Sequence, residues 1–188
     1  MGYTHYVYRL IKDHDQETWD NFIKDCKKLY KNMPRNTDTA SGCYSEYPLI
    51  INGCFQYKLP QFNKDKVYFN GGSSKERFKY KDDKKYYWKD ELERIDLGHE
   101  TFILKRKAWK NLEYRKNEPM LFSFCKTARK PYDLMVCACL ILYKYYFKDE
   151  VIIHSDGGES DWTPALEFVQ SICKYNIIFK DVIKEDIE

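Results

Sequence analysis

Residues 121–154 read LFSFCKTARKPYDLMVCACLILYKYYFKDEVIIH. Leu121 to Phe124 is apolar and β-compatible, and a cationic step, Arg129-Lys130-Pro131-Tyr132-Asp133, follows it. Leu134 to Phe147 is then apolar on nearly every face, the pattern of a buried helix, with Pro131 or Asp133 near its start. Val151 to His154 reads as another strand and ends at Ser155-Asp156-Gly157-Gly158. A helix with no polar face must be covered by the rest of the domain, so the flanking segments have to supply that cover.

Towards the C-terminus, Thr163 caps and Pro164 opens a last amphipathic helix carrying Leu166, Phe168, Val169, Ile172 and Cys173. Asn176 to Phe179 reads as a final strand before an acidic tail. Towards the N-terminus, Tyr6 to Leu10 is a short strand. Asp15 caps a helix from Gln16 to Tyr30, with Trp19, Phe22, Ile23, Cys26, Leu29 and Tyr30 spaced by three and four. Residues 31–47 read as a polar loop. Leu49 to Ile51, Cys54 to Leu59, Val67 to Asn70 and Thr101 to Lys105 are β-rich, with Asn52-Gly53 as a hairpin turn. A polar connection runs from Arg106 to Pro119.

The order is therefore β-α, several strands, then α-β-α, which is not a regular βαβ alternation. It predicts an α+β fold: one largely antiparallel sheet with about three helices on one face, a two-layer sandwich. Residues 1–188 read as a single domain, at about 100–200 residues per domain. A charge-dense loop or hairpin at 73–96 is the one excursion.

Composition narrows the function classes. Aromatic residues make up 17% of the chain, which excludes a disordered one. The 32 Lys and Arg against 29 Asp and Glu leave a net charge of +3, too small to indicate nucleic-acid binding by itself. The 25 Lys against 7 Arg, with 17 Tyr and 14 Ile, point to an AT-rich genome and lower the weight of any single Lys or Tyr. Seven cysteines at irregular spacing, with no CxxC pair, argue against a disulfide framework and a zinc ribbon. No apolar leader opens the chain, and its longest apolar stretch is shorter than a membrane span and contains Lys144. The expectation is a soluble intracellular protein with no membrane partner and no cofactor.

Three constellations carry chemistry. In the 125–133 step, Cys125 stands beside Lys126, Arg129 and Lys130 just before the buried helix. Helix N-termini attract anions, so these cations suit a phosphate or carboxylate, and the same field would lower the Cys125 pKa. Asp156, in the Ser155-Asp156-Gly157-Gly158 turn, can accept hydrogen bonds from a ligand. His5, His99 and His154 are scattered, with no spacing that marks a metal site. In the 73–96 excursion, Lys79, Lys81, Lys84, Lys85 and Lys89 interleave with Phe78, Tyr80, Tyr86, Tyr87 and Trp88, as on surfaces for single-stranded nucleic acid. Asp82, Asp83, Asp90, Glu91 and Glu93 nearly cancel that charge.

Several of these residues resemble an uncharacterised family with members in bacteria, phages and large DNA viruses. They are Gly2-Tyr3-Thr4-His5-Tyr6, Phe69-Asn70-Gly71, Glu100-Thr101-Phe102, the block Phe124 to Asp133, and Ser155-Asp156-Gly157 with Trp162. Family members carry Trp where this chain has Val7. The resemblance implies shared features at those positions and a viral source, and transfers no catalytic role.

The leading expectation is binding of a phosphate-bearing or anionic, nucleotide-like ligand at Lys126, Arg129 and Lys130, with His5, Tyr6, Asn70 and Asp156 lining the same pocket. One alternative is a Cys/His-dependent transferase or hydrolase using Cys125, His5 and Asp156. The other is a structural, virion or host-interaction protein.

Overall fold

The structure, a computed structural model, describes residues 2–33, 50–51, 60–71, 77–79, 86–88, 98–108 and 120–184. Among these described residues, nine strands and four α-helices follow one another in the order β1 (Thr4–Leu10), α1 (Gln16–Lys31), β2 (Ile50–Ile51), β3 (Gln61–Phe62), β4 (Lys66–Gly71), β5 (Arg77–Lys79), β6 (Tyr86–Trp88), β7 (Phe102–Lys105), β8 (Met120–Lys126), α2 (Asp133–Phe147), β9 (Val151–Ser155), α3 (Glu159–Cys173) and α4 (Phe179–Val182). The fold is α+β, and the paired strands are antiparallel.

These strands divide between two sheets and a hairpin, where the sequence order suggested one sheet. In the first sheet β1 lies between β8 and β9, so that His5 faces Cys125 on one side and Ser155 on the other. In the second, β4 pairs with β2, β3 and β7. The β5–β6 hairpin, with Phe78 opposite Tyr87, falls in the charged 73–96 excursion. The sequence-predicted strand at 54–59, the Asn52-Gly53 turn and most of the 31–47 loop lie outside the described residues.

Alternation along β1 sets the two faces of the first sheet. Tyr3, His5, Val7 and Arg9 are buried, while Tyr6, Tyr8 and Leu10 are only partly so. The inner face meets the helices. Within α2 every residue from Met135 to Tyr143 is buried, and the helix packs on α1, α3, α4 and β9. An unbroken apolar run can be stable in water only in such a position, since burying each Leu, Ile, Val or Met contributes roughly 1.5–3 kcal/mol. The amphipathic α1 contributes Trp19, Phe22, Ile23, Cys26 and Leu29, and its start is fixed by the Asp15 carboxylate, which accepts from Thr18 N at 2.8 Å.

Arg9 ties the two sheets together. Its guanidinium donates to the carbonyls of Lys105 and Arg106 at the end of β7 and of Lys12 beyond β1. Reciprocal bonds between His14 and Arg106 hold the same junction, with N to O distances of 3.0 Å both for the His14 amide and for the Arg106 guanidinium.

Two boundaries differ from the sequence reading. Helix α3 begins at Glu159, ahead of Thr163, because Asp161 reaches back to accept from the Gly158 amide at 3.1 Å and closes the first turn there. Thr163 is no cap; its hydroxyl donates to the Glu159 carbonyl one turn back, and Pro164 lies inside the helix. No strand forms at 176–179. Phe179 opens α4 instead, and it is Ile183 that meets the sheet, in a parallel bridge to Ile153.

Candidate functional site

The sheet register brings His5, Cys125, Lys126, Ser155 and Asp156 to one end of the first sheet, although β1 is more than a hundred residues from either neighbour. The side chains then divide between two faces. His5 and Cys125 point inward, whereas Tyr6, Phe124 and Lys126 share the outer face.

On the inner face His5 is fully buried and both ring nitrogens are engaged. Nδ1 lies 3.0 Å from Ser155 Oγ, and Nε2 lies 2.7 Å from Asp133 Oδ1 at the start of α2. Ser155 Oγ also accepts from Gly157 N at 3.0 Å and from the Trp162 indole at 3.3 Å. Those two donors fill the hydroxyl's lone pairs, so its hydrogen goes to His5 Nδ1. The Nε2–H tautomer follows, donating to Asp133. Cys137 Sγ, one helical turn after Asp133, lies 3.6 Å from His5 Nε2 and 3.7 Å from Asp133 Oδ2. The rings of Tyr3 and Trp162 stand edge-on to the imidazole at 5.0 and 5.2 Å.

The 127–132 turn is folded back over the start of β1. Ala128 and Arg129 both adopt left-handed backbone, with φ of 52° and 56°, and the amides of Thr127 and Ala128 both donate to the Tyr3 carbonyl. These amides are therefore not open to an external anion. Nor is the start of α2, where the Asp133 carboxylate already stands in the positive field of the helix and takes the His5 bond. Arg129 pairs with Asp161 and covers the Tyr3 ring at 4.2 Å. Lys130, also on this turn, is half-buried.

Cys125 does not match the activated thiol expected from its cationic surroundings. It is buried, its Sγ donates to the Glu100 carbonyl at 3.6 Å, and burial together with the Glu100 charge pushes its pKa up to about 12. Asn70 is likewise no surface ligand. It is buried in the second sheet, where its amide donates to the His99 carbonyl and Thr101 Oγ1 and its oxygen accepts from the His99 amide. It holds residues 98–101 against β4.

The outer face is an aromatic ladder. Tyr6 faces Phe124 and Tyr8 faces Phe122 across the β1–β8 pair, while His154 and Ile152 face the same two tyrosines from β9. The rings of Phe122 and Phe124 stack at 5.9 Å and 30°, those of Tyr6 and Phe122 at 6.4 Å and 16°. Phe124 is 56% exposed and Phe122 40%. Lys126 follows Phe124 at the next outward position. Asp156 closes this end of the face, accepting from Tyr6 Oη at 3.0 Å and from Thr4 N at 2.9 Å.

Sequence reasoning missed Ser155, Asp133 and Cys137 on the inner face and the phenylalanines on the outer one. Two signals were present: the alternation Phe122-Ser123-Phe124-Cys125, which puts both rings on one face, and the Asp133-to-Cys137 spacing of one helical turn. Among the described residues no helix is long and apolar enough to cross a membrane. Family models, curated proteins and solved structures provide no match to the chain, so its chemistry has to be argued from these two faces.

Proposed function

We propose that the protein binds a nucleotide-like ligand on the outer face of the first sheet, with the base over Phe122 and Phe124 and the phosphate at Lys126. The observation that supports this reading is the exposure of two stacked phenylalanine rings in line with a lysine on one strand. Half-exposed as they are, these Phe side chains forgo about half of the roughly 1.5–3 kcal/mol that full burial contributes, which a flat ligand can recover. Base-on-aromatic stacking contributes about 1–3 kcal/mol per base and tolerates any base. Alternate residues of a strand lie about 7 Å apart, so Lys126 stands one sugar's length beyond the Phe124 ring. The Tyr6–Asp156 pair offers carboxylate oxygens to the N–H groups of a base edge.

Calorimetric titration with AMP, GMP, CMP and UMP, each beside its nucleoside, tests the reading. Saturable binding is expected, tighter for nucleotides than for nucleosides. Phe124→Ala is expected to weaken both about tenfold or more, and Lys126→Ala to remove the preference for the phosphate. The fold should be unaffected, because both side chains face outward. Absence of saturable binding at millimolar nucleotide would overturn the reading, as would concentration-dependent dimerisation abolished by Phe124→Ala with no response to nucleotide.

A further inference from the structure

We propose that His5, Asp133 and Cys137 form a zinc site inside the domain, separate from the outer aromatic face. The three residues offer an imidazole nitrogen, a carboxylate oxygen and a thiol sulfur, the donor set that borderline-soft Zn²⁺ accepts. Their spacing is close to that of a bound tetrahedron. With Zn–N and Zn–O of about 2.0–2.2 Å and Zn–S of about 2.3 Å, the edges from sulfur to nitrogen and to oxygen come to roughly 3.5 Å. The Cys137 Sγ distances are 3.6 Å to His5 Nε2 and 3.7 Å to Asp133 Oδ2. The His5 contact, at 2.7 Å, is made to Oδ1, the other oxygen of the carboxylate, so Asp133 must turn to bring one oxygen to roughly 3.3 Å from Nε2 and 3.5 Å from sulfur on the same tetrahedral geometry.

The scaffold supports the set from two sides. Asp133 and Cys137 stand one turn apart on α2, so both side chains face β1, which brings His5 to meet them. Ser155 sits at His5 Nδ1, the position from which an outer partner orients a ligating imidazole. A separate observation points to the same place. The Tyr3 hydroxyl is buried and has no hydrogen-bond partner among the described residues, with Ser155, Cys137 and Asp133 as its neighbours. Asp133 is 16% exposed, which leaves a route for the ion and for a water as fourth ligand.

The protons balance. Zn²⁺ displaces the Cys137 thiol proton to solvent as the Zn–S bond forms. His5 stays neutral: Nε2 gives up its hydrogen to bind the metal, and Nδ1 takes one up and donates to Ser155 Oγ, which releases the longer of its two accepted bonds, that from the Trp162 indole at 3.3 Å. The Ser155 hydroxyl hydrogen then turns from Nδ1 towards the Tyr3 oxygen, which gains the partner it lacks.

Titration of the metal-free full chain with Co²⁺, read by the thiolate-to-cobalt charge-transfer band in the near ultraviolet, tests the site. One equivalent is expected to bind and raise the band, and Zn²⁺ is expected to displace it. Cys137→Ser should lose the band. Asp133→Asn can still accept the His5 hydrogen bond, so it should fold with a metal-free melting temperature lowered only slightly by the loss of charge at the helix start, while losing more than tenfold in metal affinity. No band in the wild-type chain would overturn the proposal. So would a band that persists in Cys137→Ser, which would assign the thiolate to another cysteine, or an Asp133→Asn variant with unchanged affinity.

Discussion

Gly157 is pressed against the ring of Tyr3: a β-carbon built on the glycine would fall well inside contact distance of the hydroxyl and within 2.7 and 2.8 Å of two ring carbons. The tyrosine cannot step aside, because it is buried, covered by Arg129 and edge-on to His5. Gly157→Ala is therefore expected to destabilise by about 1–3 kcal/mol, the usual cost of overpacking. At about 2–4 °C per kcal/mol for a chain of this size, thermal unfolding will register it. Tyr3→Phe removes a buried hydroxyl that makes no bond and is expected to be neutral or stabilising in the metal-free protein. A Gly157→Ala melting temperature equal to wild type would contradict this packing.

The buried His14 gives the fold an acid limit. Its Nδ1 lies 2.9 Å from Glu150 and its Nε2 2.6 Å from the Tyr143 hydroxyl. Burial, with Arg9 nearby, lowers its pKa to about 4 against 6.5 for a free histidine. Between those values the unfolded chain binds a proton that the folded one refuses, so stability is complete above pH 6.5 and falls as the pH drops towards 4. The loss amounts to about 3 kcal/mol at most. Denaturant unfolding at a series of pH values should show this slope, and a His14→Gln variant should flatten it. An equal slope in both proteins would assign the acid sensitivity elsewhere.

The same histidine predicts the effect of its neighbour. A carboxylate accepts only, so Nδ1 carries the hydrogen towards Glu150 and Nε2 accepts from Tyr143. Tyr143 is fully buried, and Tyr143→Phe leaves Nε2 unbonded in the core. A destabilisation of about 1–3 kcal/mol is expected from chemical denaturation. The His14 pKa, read by nuclear magnetic resonance, should move when the bond is lost; an unchanged stability would remove Tyr143 from the network.

Alkylation will distinguish the cysteines. With its pKa pushed up to about 12, against 9.0 for a free thiol, Cys125 should hold roughly a thousandfold less thiolate than an exposed peptide thiol. Site-resolved mass spectrometry over a time course at neutral pH is expected to find Cys173 labelled ahead of Cys125, because Cys173 is only half-buried and burial with the nearby Asp25 charge pushes its pKa up to about 11 rather than 12. Rapid stoichiometric modification of Cys125 would restore the nucleophile reading.

Local physics made much of the fold legible. Asp15 with the three-and-four spacing after it marks α1, and the unbroken apolar run marks α2, because capping and periodicity act within a turn or two. The start of α3 was hidden by Pro164, whose preference for a first turn outweighs the Gly158–Asp161 closure in a bare sequence. Of the candidate site, its location at the end of β1 and β8 was legible, but not its partition into two faces. Asn70 looked like a ligand because a polar residue on a strand end gives no sign that residues 98–101 consume it. His5 meets Asp133, Cys137 and Ser155 across 128 to 150 positions, for which no short-range pattern exists.

The place of β1 between β8 and β9 also sets a schedule for the ribosome. Its partners begin at Met120 and end at Ser155. At about 5–20 residues per second, a chain whose first strand has emerged waits on the order of ten seconds or more for the residues that will flank it. During that interval Tyr3, Val7 and the unpaired edges of β1 have no native cover, so the nascent chain is at its most aggregation-prone early. Holding factors that act at the ribosome exit should raise the yield of this protein more than those that act after release.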